Sequence, residues 1–220
     1  MKNLVIVGAG AIAAEVTSYL SNSYISDDSE FSLKGYLEYQ DRIEKYHKYY
    51  ELEQPVLGEL EDYIIQEDDV FIIAVLNMPF KQKAITILQN KNARFTNLIH
   101  ASTNIARTVV LGHGNIIYPN CIFGPKCQIG NFNILTSYSF ISHDCIIGDC
   151  NFFATSGLSG YVHVHDNNNF GIRSTVLPNI SIGSNNIIQA GMIVDKDVPN
   201  DATVFHRFKE KLMIIKSVET

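Results

Sequence analysis

Gly112-His113-Gly114-Asn115-Ile116-Ile117-Tyr118-Pro119-Asn120-Cys121-Ile122-Phe123-Gly124-Pro125-Lys126-Cys127-Gln128-Ile129 puts an apolar side chain at Ile117, Phe123 and Ile129, six residues apart. Working outward, the series begins at Ile99, Ile105 and Leu111 and continues through Leu135, Ile141, Ile147 and Phe153. After a single five-residue step it resumes as Leu158, Val164, Phe170, Val176, Ile182, Ile188 and Val194. A period of six fits neither a helix nor a lone strand. It predicts a solenoid in which three short parallel strands make one triangular coil of about eighteen residues. Gly, Asn and Asp between the apolar positions are the residues that sharp corners favour. Coils stack at the inter-strand spacing of roughly 4.8 Å. The short step after Phe153 is expected to tighten a corner beside the site proposed below.

The 220 residues suffice for one modest domain plus a solenoid. A net charge of −6 with 18% charged residues provides no basic field for nucleic acid. Cys121, Cys127, Cys145 and Cys150 all fall inside the repeat without CxxC spacing, so they read as buried small hydrophobes in a reducing compartment, and no metal is expected. The N-terminus runs straight into a strand with no cleavage site. No apolar run approaches eighteen residues, so a soluble, cytoplasmic protein without a membrane partner is expected.

Ahead of the repeat, Leu4–Val7 reads as a buried parallel strand. It ends in Gly8-Ala9-Gly10-Ala11-Ile12-Ala13 and leads into a helix from about Ala11 to Leu20. Such a strand–glycine turn–helix unit begins a nucleotide-binding fold, with backbone N–H groups at the helix N-terminus aimed at phosphate. A plain tight turn explains the same string. Further strands are expected near Phe31–Leu37, ending at Glu38-Tyr39, at Val70–Val75 and at Arg94–Leu98, with a helix from about Phe80 to Asn90. Residues Lys45–Glu53 read as a variable surface connection. This length accommodates one nucleotide-binding half and argues against a dehydrogenase.

A small βαβ unit entering hexapeptide coils through Asn97-Leu98-Ile99-His100 resembles the bacterial sugar acetyltransferases. These comprise the sialic acid O-acetyltransferase relatives and the N-acetyltransferases of nucleotide-linked 4-amino sugars. The most specific portion is Ile141-Ser142-His143-Asp144-Cys145-Ile146-Ile147-Gly148-Asp149, with Leu158-Ser159-Gly160 and Phe170-Gly171-Ile172-Arg173-Ser174-Thr175-Val176-Leu177-Pro178-Asn179-Ile180. The resemblance implies an α/β fold class: an N-terminal Rossmann-like βαβ domain followed by a left-handed parallel β-helix of hexapeptide repeats. Residues 1–97 would bind a nucleotide sugar, 98–200 would transfer an acyl group, and 201–220 would cap the last coil. His143 would be the general base and Asp144 the acidic neighbour that fixes its tautomer.

The residues support the same site independently. Acyl transfer from a thioester to a sugar amine needs a base for the amine proton and an amide N–H for the developing oxyanion. His143 lies two positions after Ile141, and Gly160 two after Leu158, three inward positions later. Gly160 should therefore stack on His143 one coil along, its N–H open beside the ring. His163 and His165 either line the same cleft or have surface roles, and His113 reads as a turn.

By the resemblance, acetyl-CoA is the co-substrate, its pantetheine arm held by backbone at Ile172 and at Ala190-Gly191, although Gly and Ala are corner residues in any case. Lys196 is a candidate charge for the phosphates. Gly8, Gly10, Glu38, Tyr39 and Thr136 are the candidate substrate-binding residues. Glu38-Tyr39 stands where the family often has paired aspartates, Ala11-Ile12-Ala13 where it has Gly-His-Gly, and Thr136 where it has asparagine. The exit lacks the usual Gly-x-Pro-Ala-Lys, and the tail around Arg207 and Lys209 either caps the last coil or contacts coenzyme A. The family assembles as trimers with sites at subunit boundaries, which implies a homotrimer. The expected function is acetyl-CoA-dependent N-acetylation of a nucleotide-linked 4-amino-4,6-dideoxy sugar for surface polysaccharide synthesis. The alternatives are sugar O-acetylation of the sialic acid type and a non-catalytic nucleotide-binding solenoid.

Overall fold

From Leu98 onward the chain winds through two-residue strands, most of which pair one residue facing out with one from the sixfold series facing in. A computed structural model describes residues 2–21, 31–38 and 43–205. Three parallel sheets form. The first face runs from Leu98–Ile99 to Thr203–Val204, the second from Asn104–Ile105 to Ile193–Val194, and the third from Val110–Leu111 to Ser181–Ile182. These sheets of short repeated strands fit a left-handed β-helix. Ile122 pairs with Phe140 and Phe123 with Ile141, one coil along. The inward residues make one continuous core, in which Phe153 and Phe170 stack with centroids 4.5 Å apart.

The five-residue step leaves the pairing intact, with Ile141 opposite Leu158 and Phe153 opposite Phe170. The corner at 154–156 absorbs it, where Thr155 takes a positive φ of 48° and donates its N–H to Thr136 Oγ1 at 2.9 Å. This corner lies on the edge between the first and second faces. The expectation that it reshapes the surroundings of His143 is therefore corrected, because His143 is on another edge.

A feature absent from the sixfold reading stabilises the third edge. Asn115, Asn133, Asn151, Asn168 and Asn186 are buried and stack coil upon coil. Each Oδ1 accepts the N–H of the residue above it, as in Asn133 N to Asn115 Oδ1 at 2.9 Å and Asn151 N to Asn133 Oδ1 at 2.8 Å. Buried backbone donors at a corner cannot reach a sheet partner, and the amide side chains satisfy them.

The N-terminal part is a five-stranded parallel sheet in the order β3-β2-β1-β4-β5. Its strands are β1 (Lys2–Val7), β2 (Phe31–Glu38), β3 (Val56–Glu59), β4 (Asp69–Ile73) and β5 (Arg94–Phe95). Its helices are α1 (Ala11–Ser21), α2 (Ile43–Tyr49) and α3 (Met78–Asn90). α2 corrects the surface connection expected over Lys45–Glu53, and β3 follows it as a strand not expected from the sequence. Tyr46 and Tyr50, one turn apart, pack against the core, and Pro55 and Gly58 disguise the strand that follows. The strand expected over Arg94–Leu98 is split, its end being the first coil strand.

Alternation along β1 divides the packing. Leu4 and Ile6 face Val16 of α1 together with the outward residues Leu98, Ile116 and Ile134 of the first coil face. Val5 and Val7 face Ala84 and Leu88 of α3 with Phe132 and Cys150. The sheet unit thus covers the first face, and the two parts share their buried clusters. Polar contacts tie the seam: Tyr118 donates its hydroxyl to Glu15 at 2.7 Å, the buried Lys81 amine donates to the Phe132 carbonyl, and Gln82 Nε2 donates to Asn167 Oδ1 at 3.3 Å. Among the described residues no helix is long and apolar enough to cross a membrane.

Candidate active site

The edge between the second and third faces carries the corner Ser142-His143-Asp144-Cys145, and one coil along Ser159-Gly160-Tyr161-Val162. Asp144 and Tyr161 occupy the left-handed position of this turn, with φ of 56° and 61°. The turn throws the residue before it outward. The His143 imidazole is 47% exposed, and its Nδ1–H donates to Asp144 Oδ2 at 2.9 Å. That bond assigns the proton to Nδ1 and leaves the Nε2 lone pair free to accept.

Gly160 lies against this ring. A Cβ on Gly160 would stand 2.6 Å from His143 Cε1 and 2.8 Å from Nε2, so any side chain there must displace the imidazole. Its N–H makes no hydrogen bond among the described residues, although the glycine is buried. An uncommitted buried amide next to a ring nitrogen with a free lone pair is a base and an anion-stabilising donor on one edge.

The core backs this corner with thiols. Cys127 Sγ donates to the Ser142 carbonyl at 2.8 Å, and Cys145 Sγ to the Ser159 carbonyl at 3.1 Å. All four cysteines are buried and free. Neither this backing nor Tyr161, whose ring meets the His143 ring edge-on at 5.2 Å, was anticipated from the sequence. Counting coils located Gly160, but no periodicity reports where a neighbouring exposed ring points.

The remaining candidates lie elsewhere on the prism. Thr136, Ile172, Ala190 and Gly191 are on the edge between the first and second faces, at the other side of the strand that precedes His143. Thr136 is occupied with the Thr155 N–H. Ile172 is 61% exposed, and Gly191, with φ of 72°, has open space where a Cβ would stand. Gly171, by contrast, is required by packing, because a Cβ there would meet Ala190 N at 2.6 Å. His163 is exposed on the third face, and His165 is exposed at the edge beyond it.

Gly8 and Gly10 sit where β1 leads into α1, beside the point at which strand order reverses between β1 and β4. Gly8 has a structural reason, with φ of 108° and a Cβ site 2.9 Å from Val75 Cγ2. Gly10 has none: nothing lies within 4 Å of its Cβ site. This turn stands over the first face, so a single chain does not bring it to the edge that carries His143. Glu38 ends β2, whereas Tyr39, Arg207 and Lys209 lie outside the described residues. No cluster of three or more His, Cys, Asp or Glu able to hold a metal occurs among the described residues.

Comparison with known proteins supplies the class. No family model matches the chain. An acyl-carrier-protein–UDP-N-acetylglucosamine O-acyltransferase of Helicobacter pylori (strain Shi470) is 30% identical over 104 residues, 44% of this chain and 38% of that protein. A GDP-perosamine N-acetyltransferase of Escherichia coli O157:H7 is 30% identical over 98 residues, 44% of each. The chain spans less than half the length of these curated relatives. PerB of Caulobacter crescentus, solved with CoA and GDP-perosamine, superposes with a TM-score of 0.78 at 23% identity, over 92% of this chain and 93% of that one, which shows the fold. The homologues and structural neighbours of this chain are therefore acyltransferases of the hexapeptide-repeat family.

Proposed function

We propose that the chain is an acetyl-CoA-dependent N-acetyltransferase acting on the amino group of a nucleotide-linked 4-amino-4,6-dideoxy sugar, in surface polysaccharide synthesis. The observation that carries this reading is the His143–Asp144 pair stacked on the Gly160 backbone. His143 Nε2 takes the proton of the sugar amine as the nitrogen bonds to the thioester carbonyl carbon. The Gly160 N–H donates to the carbonyl oxygen as charge develops there. When the carbon–sulfur bond breaks, the imidazolium returns its proton to the departing thiolate, so the base ends neutral. Asp144 holds the tautomer through Nδ1 and steadies the transient imidazolium.

Residues 1–97 supply a Rossmann-like nucleotide-sugar site in which Gly10 lets phosphate approach the N-terminus of α1. Residues 98–200 supply acyl transfer, and 201–220 the cap. Exposed Ile172 and the open backbone at Ala190-Gly191 fit the pantetheine arm. These sites and His143 occupy different sides of one prism, which supports a homotrimer with each site built by two chains. The exposed Ile122, Phe140 and Ile193 on the second face and Val110 and Ile146 on the third supply apolar surface for that contact. This reading carries a cytoplasmic location with it.

The O-acyltransferase relative favours a sugar hydroxyl as the second acceptor. Thiol release from acetyl-CoA, followed against a panel of UDP-, TDP- and GDP-linked amino sugars and free sialic acid, separates the two. Turnover with an amino sugar that falls by about 10²–10⁴-fold in His143→Asn is expected. Turnover only with a hydroxyl acceptor selects the second reading, and wild-type turnover by His143→Asn removes the base.

A further inference from the structure

Tyr161 sits where the turn calls for something else. Its position on successive coils is held by Lys126, Asp144, Tyr161 and Asn179, all with φ between 56° and 63°. That conformation is cheapest for Gly, Asn and Asp and disfavours a bulky aromatic. Core packing does not explain the ring either, since Tyr161 is 53% exposed. What the ring touches is the imidazole: the His143 and Tyr161 rings meet at 85° with centroids 5.2 Å apart. Below them, the Tyr161 N–H donates to the His143 carbonyl at 3.1 Å, locking the two corners together.

The imidazole is therefore bounded on three sides. The Asp144 carboxylate holds Nδ1, the Gly160 backbone lies against Cε1 and Nε2, and the Tyr161 ring closes a flank otherwise open to solvent. A hydrogen bond from one nitrogen still lets a half-exposed ring swing about that bond. An edge-to-face aromatic contact, which is worth more than its buried area alone, removes the swing. We infer that Tyr161 is a positioning residue for acyl transfer, its ring holding His143 with Nε2 over the Gly160 amide. The inference rests on the transferase reading above. The hydroxyl has no part in the contact between the rings, so the aromatic ring is the working group.

Three variants test this. Tyr161→Asn removes the ring and folds, because asparagine already occupies the same turn position at Asn179. Tyr161→Phe keeps the ring, and His143→Asn identifies the His143 signal among the seven histidines. The expected result is a kcat about 10- to 100-fold lower in Tyr161→Asn with KM for both substrates within about twofold, and recovery to within about threefold in Tyr161→Phe. In ¹³Cε1-histidine-labelled protein without substrate, the ring-current displacement of the His143 Cε1–H signal should vanish in Tyr161→Asn and persist in Tyr161→Phe. Loss of that displacement with kcat unchanged, or a Tyr161→Phe enzyme as slow as Tyr161→Asn, overturns the inference while the transferase reading stands. A wild-type protein that shows the displacement yet releases no thiol with any acceptor overturns the transferase reading, and the catalytic role of Tyr161 with it.

Discussion

At the scale of single residues, the site depends on one missing side chain. Gly160 is not at a positive φ, and its turn would accept other residues; it is glycine because the His143 ring occupies its Cβ site, 2.6 Å from Cε1. A methyl group there pushes an imidazole that is half exposed and free to move outward, away from the amide. Gly160→Ala should therefore cost about 100-fold in kcat, the size expected when a reacting group is misplaced by about 1 Å, while the melting temperature shifts little. A kinetic assay beside a thermal melt checks it, and a Gly160→Ala enzyme with normal kcat would mean that the ring and the amide do not act together. His143 and Asp144 were legible through the family resemblance of the Ile141–Asp149 stretch, and Gly160 also by counting three inward positions across the short coil. The partners that act on them through space were not legible. Tyr161 reads as one more exposed corner, and Cys127 and Cys145 as filler, because hydrogen bonds to the Ser142 and Ser159 carbonyls leave no trace in the pattern.

At the scale of elements, the coils were legible because one side-chain direction repeats every six residues. The asparagine ladder was hidden because asparagine is a corner residue for conformational reasons alone, which leaves its buried Oδ1 contacts unannounced. The contact of α3 with the coils was equally hidden. Lys81 reads as the polar face of a helix, yet the residue is 2% exposed and its amine donates to the Phe132 carbonyl of a coil corner. Burial pulls that amine down to about 8 from the ordinary 10.5, with a smaller opposing effect of Cys150. Because the folded value lies below the unfolded one, both states hold the proton below pH 8 and the group's contribution to stability is flat there. Between pH 8 and 10.5 only the unfolded chain binds it, so stability rises with pH. The difference between 10.5 and about 8 corresponds to a rise on the order of 3 kcal/mol. Urea unfolding of wild type and Lys81→Met at pH 7.5 and pH 10 isolates the effect, since other titrations cancel in the comparison. The wild type should gain on the variant at the higher pH. An unchanged difference would show that the amine reaches water in the folded protein.

At the scale of the molecule, on the proposed reading, the placement of the candidate groups leaves one chain with an incomplete site. His143 and Gly160 lie on the edge between the second and third faces, Ile172 and Ala190-Gly191 on the edge between the first and second, and the Gly8–Gly10 turn over the first. On that reading a thioester must reach His143 while its arm lies against Ile172 and Gly191. In a ring of prisms the cofactor edge of one copy adjoins the His143 edge of the next, and a groove between them satisfies both. This arrangement has a consequence that an intrachain site lacks. His143→Asn removes the base edge, and Ala190→Trp fills the cofactor edge at an exposed position without entering the core. Each variant alone should be inactive. Co-assembled in equal amounts, a site draws its His143 edge from an Ala190→Trp chain half of the time and its Ala190 edge from a His143→Asn chain half of the time. Activity should then return to about a quarter of wild type in the unselected mixture, the product of those two halves, and to about a third in trimers that carry both variants, each of which has one productive boundary of three. Co-expression with two purification tags, followed by thiol-release assay of the doubly tagged assembly, measures it. A doubly tagged assembly as inactive as either parent would place both edges of the working site in one chain, with the cofactor crossing the second face over Phe140 rather than lying between copies.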